Sequence, residues 1–166
     1  MPIQRLNHAV LYVRDLPTSL NFYCGVLGFR VVNQIDNRAA FLQAQGSSND
    51  HDLGLFAVGD AVQDSSAGRG SVGLYHLAWE VDTLKELQRL GDVLQESGDL
   101  VGASDHGATK ALYAKDPDGL EFEVSWLVPL EKLYQEPSGM KTAPLNINAE
   151  IAKYGALTSG GVGISH

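Results

Sequence analysis

Polar positions in RLNHAVLYV (5–13) give way to an apolar run from Ala9 to Val13, and the stretch reads as a strand. LPTSLNFYCGVLG (16–28) reads as a helix ended by Gly28, and FRVVNQID (29–36), AAFLQAQ (39–45) and DLGLFAV (52–58) read as three further strands. The same order then returns. LYHLAWEV (74–81) is a strand and DTLKELQRLGDVLQESG (82–98) an amphipathic helix closed by Gly98, with Leu84, Leu87, Leu90, Val93 and Leu94 at helical spacing. LVGASD (100–105), ALYAKD (111–116) and LEFEVSWLV (120–128) complete the set, and DPDG between the last two has a hairpin-turn composition.

The chain is therefore expected to be α+β, two paired βαβββ modules in one domain over residues 1–128. Module one spans about 3–60, a polar, small-residue linker about 60–72, and module two about 73–128. Residues 129–166 form a C-terminal extension with one amphipathic stretch and a Gly- and Ser-rich, mobile end. The repeat is also visible residue by residue. His8 and His76, Val13 and Val81, and Leu16 and Leu84 each stand 68 apart (76 − 8, 81 − 13, 84 − 16).

Composition narrows the function classes. At 166 residues, 44% hydrophobic and 19% charged, the chain can bury one sizeable core. A net charge of −8 argues against nucleic acid or an anionic membrane surface as partner, since either requires clustered Lys and Arg. No apolar run is long enough to span a bilayer and the first residues lack a signal-type apolar stretch, so a cytoplasmic location is expected. Cys24 is the sole cysteine; it excludes an internal disulfide and reads as a structural thiol.

A duplicated fold needs repeated core residues, and leucine or valine would serve. Repeated histidines ask for another cause. His8 and His76 occupy the same place in two related strands, and alternation in the last strand sends Glu121, Glu123 and Ser125 to one face and Leu120, Phe122, Val124 and Trp126 to the other. Two neutral imidazoles and one carboxylate would leave a divalent ion positively charged with open positions, suited to holding a substrate and a small second reactant. Trp79 and Trp126 alternate away from these groups and read as core.

NHAVLYVRDLPTSLNFYCGVLGF, YHLAWEV and YAKDPDGLEFEV together resemble the vicinal oxygen chelate superfamily over roughly residues 3–128. The resemblance implies curved sheets around a metal site, with His8, His76 and Glu123 as ligands; Glu121 is the competing carboxylate, and Leu120 stands where the family usually has Asn. The fourth ligand of glyoxalase I would fall at about Gly54, which has no side chain.

Among superfamily branches the chain is most similar to small type I extradiol catechol 2,3-dioxygenases. NDHDLGLF and SDHGATKALYAKDPDGLEFEV resemble their segments, which implies His51 as acid–base residue, His106 as hydrogen-bond donor to a catecholate oxygen, and Tyr113 as stabiliser of a developing oxyanion. Taken singly, His51 could be a solvated loop residue, His106 could close a turn with Asp105 and Gly107, and Tyr113 could be core. The implied cofactor is Fe(II), with Mn(II) as the alternative ion. The implied partners are a small-molecule catechol and O2, and the implied assembly is a homodimer. Two other readings stay open: a glyoxalase-type isomerase or lyase using the same ligands, and a non-catalytic binding protein for an aromatic natural product.

Overall fold

In the computed structural model, which describes residues 2–3, 5–68, 70–136 and 142–161, the chain falls into two units. Unit one comprises residues 1–65 with 117–119, and unit two 66–116 with 120–166. The architecture is mixed α+β, with one four-stranded and one five-stranded sheet and no closed barrel among the described residues. No described helix is long and apolar enough to cross a membrane.

Unit one contains β1 (Ala9–Val13), α1 (Leu16–Gly25), β2 (Arg30–Ile35), β3 (Ala39–Gln43) and β4 (Leu53–Ala57), with sheet order β1-β4-β3-β2. Helix α1 starts where Asp15 accepts hydrogen bonds from the Thr18 backbone N–H at 2.9 Å and hydroxyl at 2.6 Å, with a proline in the first turn. It ends three residues earlier than the sequence suggests, capped at Val26, whose N–H donates to the Phe22 carbonyl at 2.8 Å; Gly28, at φ 80°, lies beyond the helix and turns the chain so that Phe29 N–H reaches back to the Tyr23 carbonyl at 3.0 Å. The pairs Ala40–Leu55 and Leu42–Leu53 put four completely buried residues on one face, the unit's core. Each buried leucine contributes about 1.5–3 kcal/mol by leaving water. Phe41 and Gly54 pair on the opposite face. Strand β2 lies at the sheet edge, exposed throughout, with a bulge between Val31 and Asn33. Asp118 also belongs to unit one, and its carboxylate accepts from the Arg14 backbone N–H and guanidinium, each at 3.2 Å. Cys24 is half-buried, and burial pushes its thiol pKa up, away from reactivity.

Unit two contains β5 (Leu77–Glu80), α2 (Leu84–Ser97), β6 (Leu100–Asp105), β7 (Thr109–Lys115), β8 (Glu121–Leu127), β9 (Ala143–Pro144) and α3 (Ile147–Tyr154), with sheet order β5-β8-β7-β6-β9. Thr83 caps α2 by accepting from the Glu86 N–H at 3.3 Å, and Gly98 ends it at φ 83°. Leu84, Leu87, Leu90 and Leu94 are buried along the helix, as the apolar spacing requires. Leu112, Ala114, Phe122, Val124 and Trp126 share the buried sheet face, because Leu112 pairs with Val124 and Ala114 with Phe122. Trp126 is completely buried and its indole N–H donates to the Thr158 carbonyl at 3.2 Å.

The segment after residue 128 joins this unit. A 3₁₀ helix forms over Leu130–Gln135, β9 pairs with β6, and Tyr154 of α3 is buried. Its anchor is Lys110, wholly buried on the core face of β7, with its ammonium 2.7 Å from Asp105, 3.1 Å from Glu136 and 3.1 Å from Glu150. Burial alone would lower the lysine pKa, but the three carboxylates outweigh it and raise it. Of the Gly- and Ser-rich end expected to be mobile, the described part is held in place, with the Ala156 carbonyl accepting from Lys85 N–H at 2.9 Å and Gly160 N–H donating to the Asp82 carbonyl at 2.8 Å, while residues 162–166 lie outside those described.

Candidate functional site

The pleat of each sheet decides which side chains lie on the face turned away from the core. In unit two, Tyr113 pairs with Glu123 and Ala78 with Glu123, so these three residues share the face opposite Leu112, Phe122 and Val124. His76 stands two residues before Ala78, just outside β5. Its Nε2 lies 3.2 Å from Glu123 Oε2, and both side chains are largely buried, at 20% and 13% exposure. The other ring nitrogen, Nδ1, is buried with no hydrogen-bond partner among the described residues.

Tyr113 extends this pair. Its hydroxyl lies 3.0 Å from His106 Nε2, and the His76 and Tyr113 rings have centroids 5.7 Å apart. Burial first, then the negative charge of Glu123, pushes the Tyr113 phenol up to about 12. His106 sits at the β6–β7 turn, which its own backbone N–H closes on the Thr109 carbonyl at 2.8 Å while Asp105 accepts from Gly107 N–H at 2.8 Å. His76, Glu123, Tyr113 and His106 thus form one contiguous polar group in unit two. Tyr75 flanks it, with its ring 4.5 Å from that of His76. Sequence reasoning passed over Tyr75, although an aromatic residue directly before a candidate ligand was a signal to consider.

Unit one brings together the other two predicted residues. The His8 and His51 rings have centroids 4.4 Å apart, and Phe41 meets His51 edge-on at 5.1 Å. His8 Nδ1–H donates to the Asn7 side-chain oxygen at 2.7 Å, leaving Nε2 as the lone-pair nitrogen of the neutral ring. His51 Nδ1 lies 3.0 Å from Asp50 Oδ2, and this contact lowers the Asp50 pKa. The loop carrying His51 is fixed by Asp52, whose carboxylate accepts from Ala44 N–H, the Ser47 hydroxyl and the Asn49 amide at 2.6–2.9 Å. His51 is only 16% exposed at its side chain and so is not a solvated loop residue.

These residues suit a divalent ion by the chemistry of their donors. Two ligands about 2.1 Å from an ion and at right angles lie about 3 Å apart, close to the separation of His76 Nε2 and Glu123 Oε2. An imidazole whose second nitrogen donates to an oxygen, as in His8, has the usual orientation of a metal-binding histidine. Among the described residues, no three His, Cys, Asp or Glu side chains stand together as a metal-holding group. Glu121, the competing carboxylate, pairs with Lys115 at the far end of β7 and β8.

The model of the glyoxalase/bleomycin resistance protein/dioxygenase superfamily matches residues 5–124. The chain is 36% identical over 119 residues to a catechol-2,3-dioxygenase of Bacillus subtilis (strain 168), covering 72% of this chain and 40% of that protein. It therefore spans well under half of that relative. It is 29% identical over 132 residues to a probable lactoylglutathione lyase of Vibrio cholerae serotype O1, covering 75% of this chain and 91% of that one. A glyoxalase/dioxygenase structure from Nostoc punctiforme superposes with a TM-score of 0.59 at 21% identity, over 74% of this chain and 90% of that one, a likeness of fold. With the repeated βαβββ order, the matched family model and this fold likeness in agreement, the chain belongs to the glyoxalase/bleomycin resistance protein/dioxygenase superfamily.

Proposed function

We propose that the protein is an Fe(II)-dependent extradiol dioxygenase that opens the ring of a catechol-type aromatic with O2. His8, His76 and Glu123 hold the metal in this reading, with Mn(II) as the alternative ion. The observation that carries it is Tyr113, half-buried beside His106 on the sheet face of unit two that also carries Glu123. A Lewis-acid site needs its ligands alone, whereas ring opening also needs groups that hold and move protons beside them. The relative named a catechol-2,3-dioxygenase adds support.

A ferrous ion, when bound, supplies a centre able to take both oxygens of a catechol and activate O2. The chain supplies the rest. His51 Nε2 would take the proton of the second catechol hydroxyl and give it back later in the reaction, while Asp50 holds Nδ1 of the same ring. Tyr113 keeps its proton through the neutral range, since its pKa is about 12, and can donate a hydrogen bond to a developing oxyanion. Phe41 excludes water from one edge of His51.

A second reading, a glyoxalase-type isomerase or lyase, is favoured by the relative named a probable lactoylglutathione lyase. Gly54 counts against it, because the position that would supply a fourth ligand has no side chain. Oxygen uptake on adding a panel of catechols to anaerobically iron-loaded protein separates the readings. Uptake with a yellow ring-opened product supports the dioxygenase. Absence of uptake across the panel overturns it and leaves the isomerase and the aromatic-binding protein.

A further inference from the structure

Strand β1 begins at Ala9, so His8 stands just outside the backbone ladder of unit one. The ladder's first bond runs from Ala9 N–H to the Asp52 carbonyl at 2.9 Å. One step further back, a parallel ladder would carry Asp52 N–H to the Asn7 carbonyl, but that N–H goes to the Leu42 carbonyl of β3 at 2.8 Å. The Asn49 side chain makes the missing bond. Its amide nitrogen lies 2.8 Å from the Asn7 carbonyl oxygen and 2.6 Å from Asp52 Oδ1. Both of these oxygens accept, and an amide nitrogen carries two protons, one for each.

Asn49 is itself held on both sides of its peptide. Its N–H donates to the Ser47 hydroxyl at 3.0 Å, and its carbonyl accepts from the side-chain amide of buried Gln43. The two neighbours of His8 are thus tied to the loop that presents His51, Asn7 through Asn49 and Ala9 through Asp52. The Asn7 carbonyl belongs to the peptide that leads into His8, so the bond to it sets the direction from which the His8 ring departs. That ring is the one stacked 4.4 Å from His51. The arrangement has a cost, since Asn49 Oδ1 is buried with no hydrogen-bond partner among the described residues, which stability alone does not favour. We propose that Asn49 is a positioning residue: standing in for the absent ladder bond, it fixes the peptide before His8 and so the place of the His8 ring against His51.

The ring placement stands on the hydrogen bonds alone; its effect on iron rests on the dioxygenase reading. The test uses the full chain, metal-free, with the ring protons assigned through His8→Gln and His51→Gln. In the wild type the two rings show a through-space proton contact (NOE). Asn49→Asp keeps the side-chain shape and removes both donors, so the contact falls several-fold; Asn49→Ser, too short to reach Asn7, does the same and serves where Asn49→Asp does not fold. Asp15→Ala, which removes the cap of α1, is the control for general loss of stability, followed by urea unfolding, and it leaves the contact intact. In iron-loaded protein Asn49→Ser lowers iron affinity roughly 3- to 10-fold, the size of one lost hydrogen bond, and Asp15→Ala does not. A wild type without the ring contact, Asn49 variants that retain it, or an Asp15→Ala protein that loses it equally overturns the proposal. An Asn49→Ser protein that does not fold also overturns it, because Asn49 is then a structural residue. If wild-type protein consumes no oxygen, the dioxygenase reading falls while the ring contact still decides the role of Asn49.

Discussion

Across the parallel pair β1 and β4 of unit one, Val10 faces Gly54. Across the corresponding pair β5 and β8 of unit two, Ala78, 68 residues after Val10 (78 − 10), faces Glu123. The two units thus share a slot, filled by a carboxylate in one and left without a side chain in the other. The histidine of each unit responds accordingly. His76 turns to Glu123, whereas His8 stacks beside His51 and bonds to Asn7. Duplication preserved the ladder that positions the side chains, and chemistry diverged at single positions on it.

The largest expected effect is on that carboxylate. In the proposed reading, Glu123→Ala loses bound iron, with affinity falling by more than the roughly 10–100-fold typical of residues around the ligands, while Glu121→Ala retains it. Elemental analysis of purified variants checks this, and iron loss confined to Glu121→Ala would transfer the role by two residues along β8.

On the unit-one side, His51→Gln keeps a polar side chain and removes the titratable nitrogen. Turnover is expected to fall by roughly 10²–10⁴-fold with iron content unchanged. A pH–rate profile identical to wild type would return His51 to a structural role.

The units also differ at their edges, since β9 and the C-terminal segment cover β6 while β2 has no such cover among the described residues. Lys110→Met tests what holds that cover. The substitution leaves Asp105, Glu136 and Glu150 without their shared cation, and a loss of about 3–5 kcal/mol is expected. Urea unfolding measures it.

The smallest effect concerns Tyr113. Its folded pKa of about 12 exceeds the unfolded value near 10. Below pH ~10 both states hold the proton and the shift costs nothing. Between about pH 10 and 12 the unfolded chain releases its proton first, so stability falls as pH rises through this window. In metal-free protein, tyrosinate absorbance should include a component titrating near 12, and Glu123→Gln should bring it down only in part, because burial, the larger cause, remains.

Much of the fold was legible. The stripe from Leu84 to Leu94 and the glycine at 98 declare α2, and alternation separates Glu123 from Val124. Strand starts were less so. RLNHAVLYV and LYHLAWEV read as strands from residues 5 and 74, but the ladders begin at Ala9 and Leu77, where partner strands become available. The histidines therefore sit just ahead of their strands. Local pattern also gave no hint of β9, because two residues cannot display a period, nor of Lys110, whose neighbours in GATKALYAKD do not reveal that three distant or turn-bound carboxylates surround it. The pairing of Tyr113 with His106 across one hairpin was visible only as two separate candidates.

The bulge in β2 has a bearing on how the protein behaves in a crowded solution. A bare outer strand bearing Val31, Val32 and Ile35, each more than two-fifths exposed, invites a neighbouring chain to add itself as another strand. Between Val31 and Asn33 the register shifts, so an incoming straight strand would find its donors and acceptors in phase on one side of the break and out of phase on the other. One extra residue thus protects the edge from aggregation alongside the charge of Arg30 at the start of the strand.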